Sequence, residues 1–298
     1  LRLYNEPDPD SYSDVKPSAS EISEHSITGY YYKVQGEYPL KKSDKTIYPL
    51  YDRSGPDTEK SDPLRIIRNT VGGNNWNKPN QYVVWQIEVP KDGYYKIGFK
   101  YRQNLVRGLY TTRRVYIDDK ILYDELRNVR FDYCDVFSVK ILSAGEEDML
   151  FYLTEGTHEI KLEVTLGDLA ENLRKIQAAQ AKLNEMYRKI IMITGVAPDL
   201  YRDYDLEAEI PELLATLNEL AGALNDQYTI FEYITQKTGN DARMLKEFAQ
   251  QLLSFVDKSY TIPERLDSFR SNISALAAWL LSIKSQPLEI DYIAVMSP

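Results

Sequence analysis

Residues Tyr82 to Tyr101, YVVWQIEVPKDGYYKIGFKY, restrict the fold more than any other stretch of this chain. Val83, Trp85, Ile87 and Val89 alternate with more polar neighbours, and after Pro90-Lys91-Asp92-Gly93 the alternation resumes at Tyr95, Ile97, Phe99 and Tyr101. A period of two puts every second side chain on one face of a strand. An Asp-Gly turn between two such runs is a hairpin signal. One face then carries Trp, Ile, Phe and Tyr, so a second sheet or a layer of helices must cover it. The stretch is predicted to be a core hairpin.

Short strand-like pieces recur around it. Ile27 to Pro39 reads as the first strand, followed by TIYPLY and LRIIRN on either side of the turn-rich RSGPDTEKSDP. Further strands are predicted in VYIDDKILYDE, which contains an Asp-Asp turn, and over Phe131–Leu142 and Met149–Leu153. In GTHEIKLEVTLG, Ile160, Leu162 and Val164 face one way and Glu159, Lys161 and Glu163 the other. Many short antiparallel strands with turns at regular intervals indicate a sandwich. Leu1 to Ser26, rich in Pro, Ser and Asp, is predicted to be a mostly irregular leading segment. The sequence opens at Leu1 and not at methionine, which leads us to expect residues upstream of it.

At Leu166 the period changes. Leu166, Leu169, Leu173, Ile176, Leu183, Tyr187 and Ile190 fall on a 3–4 spacing, with Gln180 in one slot. Leu213 to Ile234, Leu245 to Phe255 and Leu266 to Ile283 repeat it. These are the seams of packed helices, and Gly195, Gly239 and Pro263 mark their ends. Four seams predict an up-down bundle over 167–285. Gln286 to Met296, QPLEIDYIAVM, returns to strand composition and must pair with the upstream sheet, since an isolated strand is unstable. The bundle is therefore expected as an insertion before the last strand of a sandwich formed by 27–166 and 286–298.

The 298 residues carry a net charge of -9 and no basic stripe, which disfavours nucleic acid and anionic lipid as partners. No run of about 18 apolar residues occurs, so no direct membrane span is expected. One cysteine, Cys134, permits neither an intramolecular disulfide nor a cysteine-rich metal site.

Catalytic chemistry is thinly represented. Of two histidines, His158 shares the parity of Ile160 and reads as a packed or edge residue. Gly72-Gly73 lacks the rest of any phosphate-binding pattern. Binding chemistry is better supplied. Sugar recognition sets an aromatic platform against a pyranose face and rings it with polar groups that read hydroxyls. Asn75 and Trp76, in the loop TVGGNNWNKPNQ, with Arg102, Gln103 and Asn104 after the expected hairpin, supply such a set. The competing reading folds Trp76 beneath the loop as a plug and leaves the asparagines to make turns.

These pieces resemble carbohydrate-binding modules of the family-6 and family-35 type, galactose-binding-like jelly rolls. The resemblance is carried by Gln35-Gly36-Glu37, by Trp85, Val89, Pro90, Gly93 and Tyr95, by Gly156, His158, Ile160 and Leu162, and by Leu288, Ile290, Asp291 and Ile293. More narrowly, GGNNW, VPKDGYYKI, VTLG, IIMITGVAPDLYRDY and QPLEIDYIAV resemble an N-terminal module of large extracellular solute-binding lipoproteins of bacterial sugar ABC transporters. The resemblance implies a non-catalytic carbohydrate-binding role at the surface of a Gram-positive bacterial cell, with other domains of the same binding protein as further partners. It also implies a structural calcium ion near the first and last strands, which falls on Glu37 and Asp291, with Gly36 in place of the usual alanine. Two other functions are weighed beside it. A structural or interaction module would dock through the bundle without binding sugar, and a glycosidase would need two carboxylates facing each other across a cleft.

Overall fold

The computed structural model describes residues 8–25, 27–52, 58–59, 66–234 and 242–298. The chain divides into two compact units, Leu1–Gly167 with Ser285–Pro298, and Asp168–Lys284.

Among the described residues the first unit holds fourteen strands: β1 (Tyr31–Gln35), β2 (Lys41–Lys42), β3 (Pro49–Leu50), β4 (Thr70–Gly73), β5 (Tyr82–Val89), β6 (Gly93–Gln103), β7 (Thr111–Ile117), β8 (Val129–Phe131), β9 (Cys134–Ile141), β10 (Ser143–Ala144), β11 (Glu147–Asp148), β12 (Phe151–Leu153), β13 (Gly156–Thr165) and β14 (Leu288–Met296). A seven-stranded sheet is built on β14, which pairs β6 along one edge and β4 and then β1 along the other. The far edge of β6 takes β12 and β9, and β3 extends β4. A five-stranded sheet runs β2-β5-β13-β7-β8, and every pairing in both is antiparallel. Their inner faces share one core, which includes Trp85, Ile87, Ile97, Phe99, Ile160 and Ile293. The fold is a β-sandwich with a helical insertion before its last strand.

The expected core hairpin is corrected. β5 and β6 bury the predicted rows, but they do not pair with each other: β5 lies in the five-stranded sheet and β6 in the seven-stranded one. The Pro90–Asp92 connection carries the chain across the sandwich. Alternation is the same whether two strands lie side by side or face to face, so periodicity alone cannot separate the two. A tight two-residue hairpin needs positive φ in its turn, and neither Asp92 nor Gly93 has it. The Asp92 carboxylate instead accepts the Glu155 N–H at 2.6 Å. That turn geometry appears at Asp118-Asp119, with φ of 51° and 61° and reciprocal Ile117–Lys120 backbone bonds of 2.9 and 3.0 Å.

The leading segment is also more ordered than expected. It forms α1 (Tyr12–Val15) and α2 (Ala19–Glu24), the latter opened by a capping box between Ser18 and Glu21. Tyr12 is buried in the sandwich core, and its N–H donates to the Glu125 carboxylate. Of TIYPLY only Pro49–Leu50 is strand; Leu64-Arg65 of LRIIRN, most of the turn after Tyr51, and Gly239 lie outside the described residues.

The second unit consists of α3 (Leu169–Thr194), the short α4 (Leu206–Glu209), α5 (Leu213–Ile234), α6 (Arg243–Asp257) and α7 (Leu266–Ile283). α3 packs on α5 and α7, and α5 on α6. The predicted seams are the buried stripes, including Leu173, Ile176, Leu183 and Ile190 in α3 and Leu217, Leu224 and Phe231 in α5. Ala179, rather than Gln180, fills the middle slot of α3, and Leu166 belongs to the turn before it.

Candidate functional site

Trp76 is not a platform. It is fully buried, meets Trp85 edge-on with ring centroids 6.1 Å apart, and donates from its indole N–H to the Gln81 carbonyl at 3.3 Å. Its ring roofs the guanidinium of Arg113, 4.4 Å away and likewise fully buried. The loop closes so tightly that a Cβ on Gly72 (φ 116°) would meet the Leu288 carbonyl oxygen at 2.0 Å. Arg113 donates to the carbonyls of Thr112, Trp76 and Gln286 at 2.9, 3.2 and 2.8 Å. Burial pulls its pKa down to about 9. The Asn77 carbonyl accepts the Gln286 N–H at 2.8 Å, and the Asn77 amide donates to Ser285 at 3.0 Å. Thr112 touches both chain ends of the helical insertion, donating from its hydroxyl to the Thr165 carbonyl at 2.7 Å and from its N–H to Gln286 Oε1 at 3.0 Å. The loop read as a sugar-binding candidate is a clasp on those two ends.

Arg102 and Gln103 are corrected for a similar reason. Arg102 is 6% exposed, donates to Glu289 at 2.9 Å and Asp52 at 3.1 Å, and lies 4.5 Å from the Phe137 ring. Burial pushes the Glu289 carboxyl up despite the adjacent guanidinium. Gln103 is 1% exposed; its amide donates to Val106 and Leu109 carbonyls and accepts the Val106 N–H, closing the loop after β6. A buried side chain with its polar atoms committed cannot read a hydroxyl. Asn75 is half-buried and Asn104 exposed, but the residues expected to act with them are internal.

The calcium ligands fare no better. Asp291 is the extra residue of a β-bulge between Ile290 and Tyr292, fully buried, and it ion-pairs with Lys100 at 3.0 Å. The Glu59 N–H also donates to it, at 3.2 Å. Glu37, just after β1 in the chain, is buried. Calcium takes 6–8 oxygen ligands; here an ammonium already supplies the positive charge at Asp291, and no group of three His, Cys, Asp or Glu gathers among the described residues. Gly36 has its own cause: a Cβ there would sit 2.3 Å from the Ile290 carbonyl oxygen, so alanine has no room.

Accessible aromatic and polar chemistry lies on the outer face of the five-stranded sheet. The alternation of β13 turns Lys161 and Glu163 outward, in register with Tyr116 and Arg114 of β7. The Lys161 ammonium sits 4.0 Å from the Tyr116 ring centroid and 5.7 Å from that of Tyr82, and pairs with Asp119 at 2.7 Å. Hydrogen bonding to Lys161 holds the Asp119 carboxyl below the usual range, and burial pushes the Tyr116 phenol up. Tyr116 donates to Glu163 at 2.9 Å. Beside it, Asp8, Asp10, Asp119, Lys120 and Arg127 surround an open cleft of about 500 Å³ floored by Pro9, Ile121 and Leu122. Asp8 and Arg127 form an ion pair there. An aromatic ring and an apolar floor bordered by carboxylates and cations suit a small, neutral, polyhydroxylated ligand. The outward parity of Lys161 and Glu163 was readable from the alternation; the arrival of Asp8 and Asp10 beside Tyr116 was not.

His158 is a structural residue. Its Nδ1 lies 2.6 Å from Asp118 and its Nε2 2.8 Å from the Thr154 carbonyl. Burial alone would lower its pKa, but these two hydrogen bonds prevail and raise it.

Residues 171–283 match the family model described as bacterial solute-binding protein, 4-helix bundle domain. No curated protein matches the chain. Similar solved structures include a Paenibacillus sp. cycloisomaltooligosaccharide glucanotransferase complexed with cycloisomaltoheptaose, at 23% identity and TM-score 0.34, covering 48% of this chain and 17% of that one. A family 35 carbohydrate-binding module from Clostridium thermocellum is similar at 14% identity and TM-score 0.33, covering 46% of this chain and 88% of that one. The family 35 module of Cellvibrio japonicus Abf62 is similar at 14% identity and TM-score 0.30, covering 46% and 83%. The chain thus spans under a fifth of the first of these proteins. No described helix is long and apolar enough to cross a membrane.

Proposed function

We propose that this chain binds carbohydrate without transforming it, through the cleft beside Tyr116, as part of an extracellular bacterial solute-binding protein for sugar uptake. The observation that carries the reading is the Tyr116 ring set against a cleft whose rim offers both hydroxyl acceptors, Asp10 and Asp119, and donors, Lys120 and Arg127. The match of the helical insertion to a solute-binding-protein bundle supports the transport context. The resemblance of the sandwich strands to carbohydrate-binding modules supports the ligand class.

The test is a glycan array with the purified chain, repeated with calcium and with chelator, followed by Tyr116→Ala on every glycan retained. Binding that disappears in Tyr116→Ala, is unchanged by chelator and leaves the glycan intact supports the proposal. An array that stays blank, or hits that survive Tyr116→Ala, would remove the cleft from consideration. Release of shortened glycan would assign the chain an enzymatic role instead.

A further inference from the structure

One end of the helical unit is unusually apolar for a solvated surface. The connection from α3 to α5 and the connection from α6 to α7 meet there, joined by a hydrogen bond from Ser259 to Glu207. Met192 in the last turn of α3 is 85% exposed, Val196 66%, Leu200 61%, Tyr201 fully, and Tyr260 73%. Leu200, Tyr201 and Tyr260 border one open cleft of about 360 Å³, floored by the buried Tyr204. Large side chains exposed singly are ordinary, but a cluster of them on a folded surface marks an interaction site.

The charge around this patch selects among occupants. Residues 196–212 contain six carboxylates, at Asp199, Asp203, Asp205, Glu207, Glu209 and Glu212, against one cation, Arg202. Glu212 is already paired with Lys189, and Arg202 lies 5.1 Å from the Tyr204 ring centroid. Asp199, Asp203, Asp205, Glu207 and Glu209 are exposed. Such a frame repels an anionic lipid surface, and it repels a second copy of a chain whose net charge is -9. It complements lysine and arginine side chains flanking an apolar segment.

We infer that this end of the bundle docks a protein partner that presents apolar side chains flanked by basic ones. The inference is independent of the sugar-binding reading, since it uses only residues of the helical unit. It is a contact with an apolar centre at Leu200, Tyr201 and Tyr260 and a steering rim of carboxylates, so salt weakens the rim and leaves the centre.

Two synthetic amphipathic peptides with the same leucine and phenylalanine content, one flanked by lysines and one by glutamates, serve as probes in fluorescence anisotropy with the whole chain. The lysine-flanked peptide is expected to bind, to weaken as salt rises, and to lose about tenfold in affinity in L200S/Y201S, the equivalent of about 1.4 kcal/mol. Asp203→Asn is expected to flatten the salt dependence. All three positions are exposed, so circular dichroism should show the variants folded. No binding of the lysine-flanked peptide, equal binding of both peptides, or binding untouched by L200S/Y201S overturns the inference. Concentration-dependent dimerisation that L200S/Y201S abolishes would assign the patch to a second copy. Cosedimentation with phosphatidylglycerol vesicles that the same variant abolishes would assign it to lipid, and either result also overturns it.

Discussion

Replacing Trp76 by alanine removes an indole that packs on Trp85 and covers the Arg113 guanidinium. The expected loss is about 3–5 kcal/mol, the range for emptying a buried aromatic site, visible as a lower urea midpoint with an unchanged slope. Tyr116→Ala, on a half-buried outer position, should leave that midpoint nearly in place while removing glycan binding. The pair of variants separates a clasp from a platform. Trp76 misled because the Asn- and Gly-rich residues around it describe a loop, whereas its burial depends on Arg113, a partner on another strand that local composition does not reveal. His158 behaves as its parity suggested. Both ring nitrogens face acceptors, Asp118 and the Thr154 carbonyl, and only the protonated ring donates from both. Its pKa is raised above the ordinary 6.5. The stabilisation is therefore complete below the unfolded value and is lost as pH rises through the folded one. Thermal melts of wild type and His158→Asn should differ most on the acid side of neutrality and converge in mild alkali.

At the level of elements, helices were more legible than sheets. A seam at 3–4 spacing is decided within one segment, and the stripes of α3, α5, α6 and α7 emerge where the leucines and phenylalanines recur. Strand partners are decided between segments, so β5 and β6 could be read as core rows but not assigned to different sheets. The candidate cleft shares this difficulty, because the leading segment reaches Tyr116 from far away in the chain. Close approach of backbones was equally hidden. Gly36 lies where the chain leaving β1 passes the bulge of β14, and its N–H donates to the Asp291 carbonyl at 2.7 Å. Gly36→Ala should force these strands apart and destabilise the sandwich by about 1–3 kcal/mol, the usual range for overpacking. Amide hydrogen exchange would localise the loss to β1 and β14 if the cause is the Ile290 contact.

For the whole molecule, the arrangement at Thr112 makes the helical segment separable. One threonine hydrogen-bonds to Thr165 before the insertion and to Gln286 after it, so the two chain ends lie side by side. Deleting Asp168–Lys284 and joining the ends by a short Gly-Ser linker should leave a sandwich that melts cooperatively. Most of the helical far-ultraviolet signal should go, while the near-ultraviolet signal of Trp76 and Trp85 persists. Loss of both signals together would show that the sandwich needs the insertion to fold. The position of β14 has a further consequence for the order in which the protein is made. Among the described residues β14 is the only strand paired with β1, and it runs between β6 and the pair β4 and β1, yet it follows the entire helical segment in sequence. During synthesis the larger sheet has no centre until the bundle has already left the ribosome. The helices, whose contacts are local, are free to form first. The strands made earliest wait longest, and their closure is timed by the arrival of Leu288 to Met296.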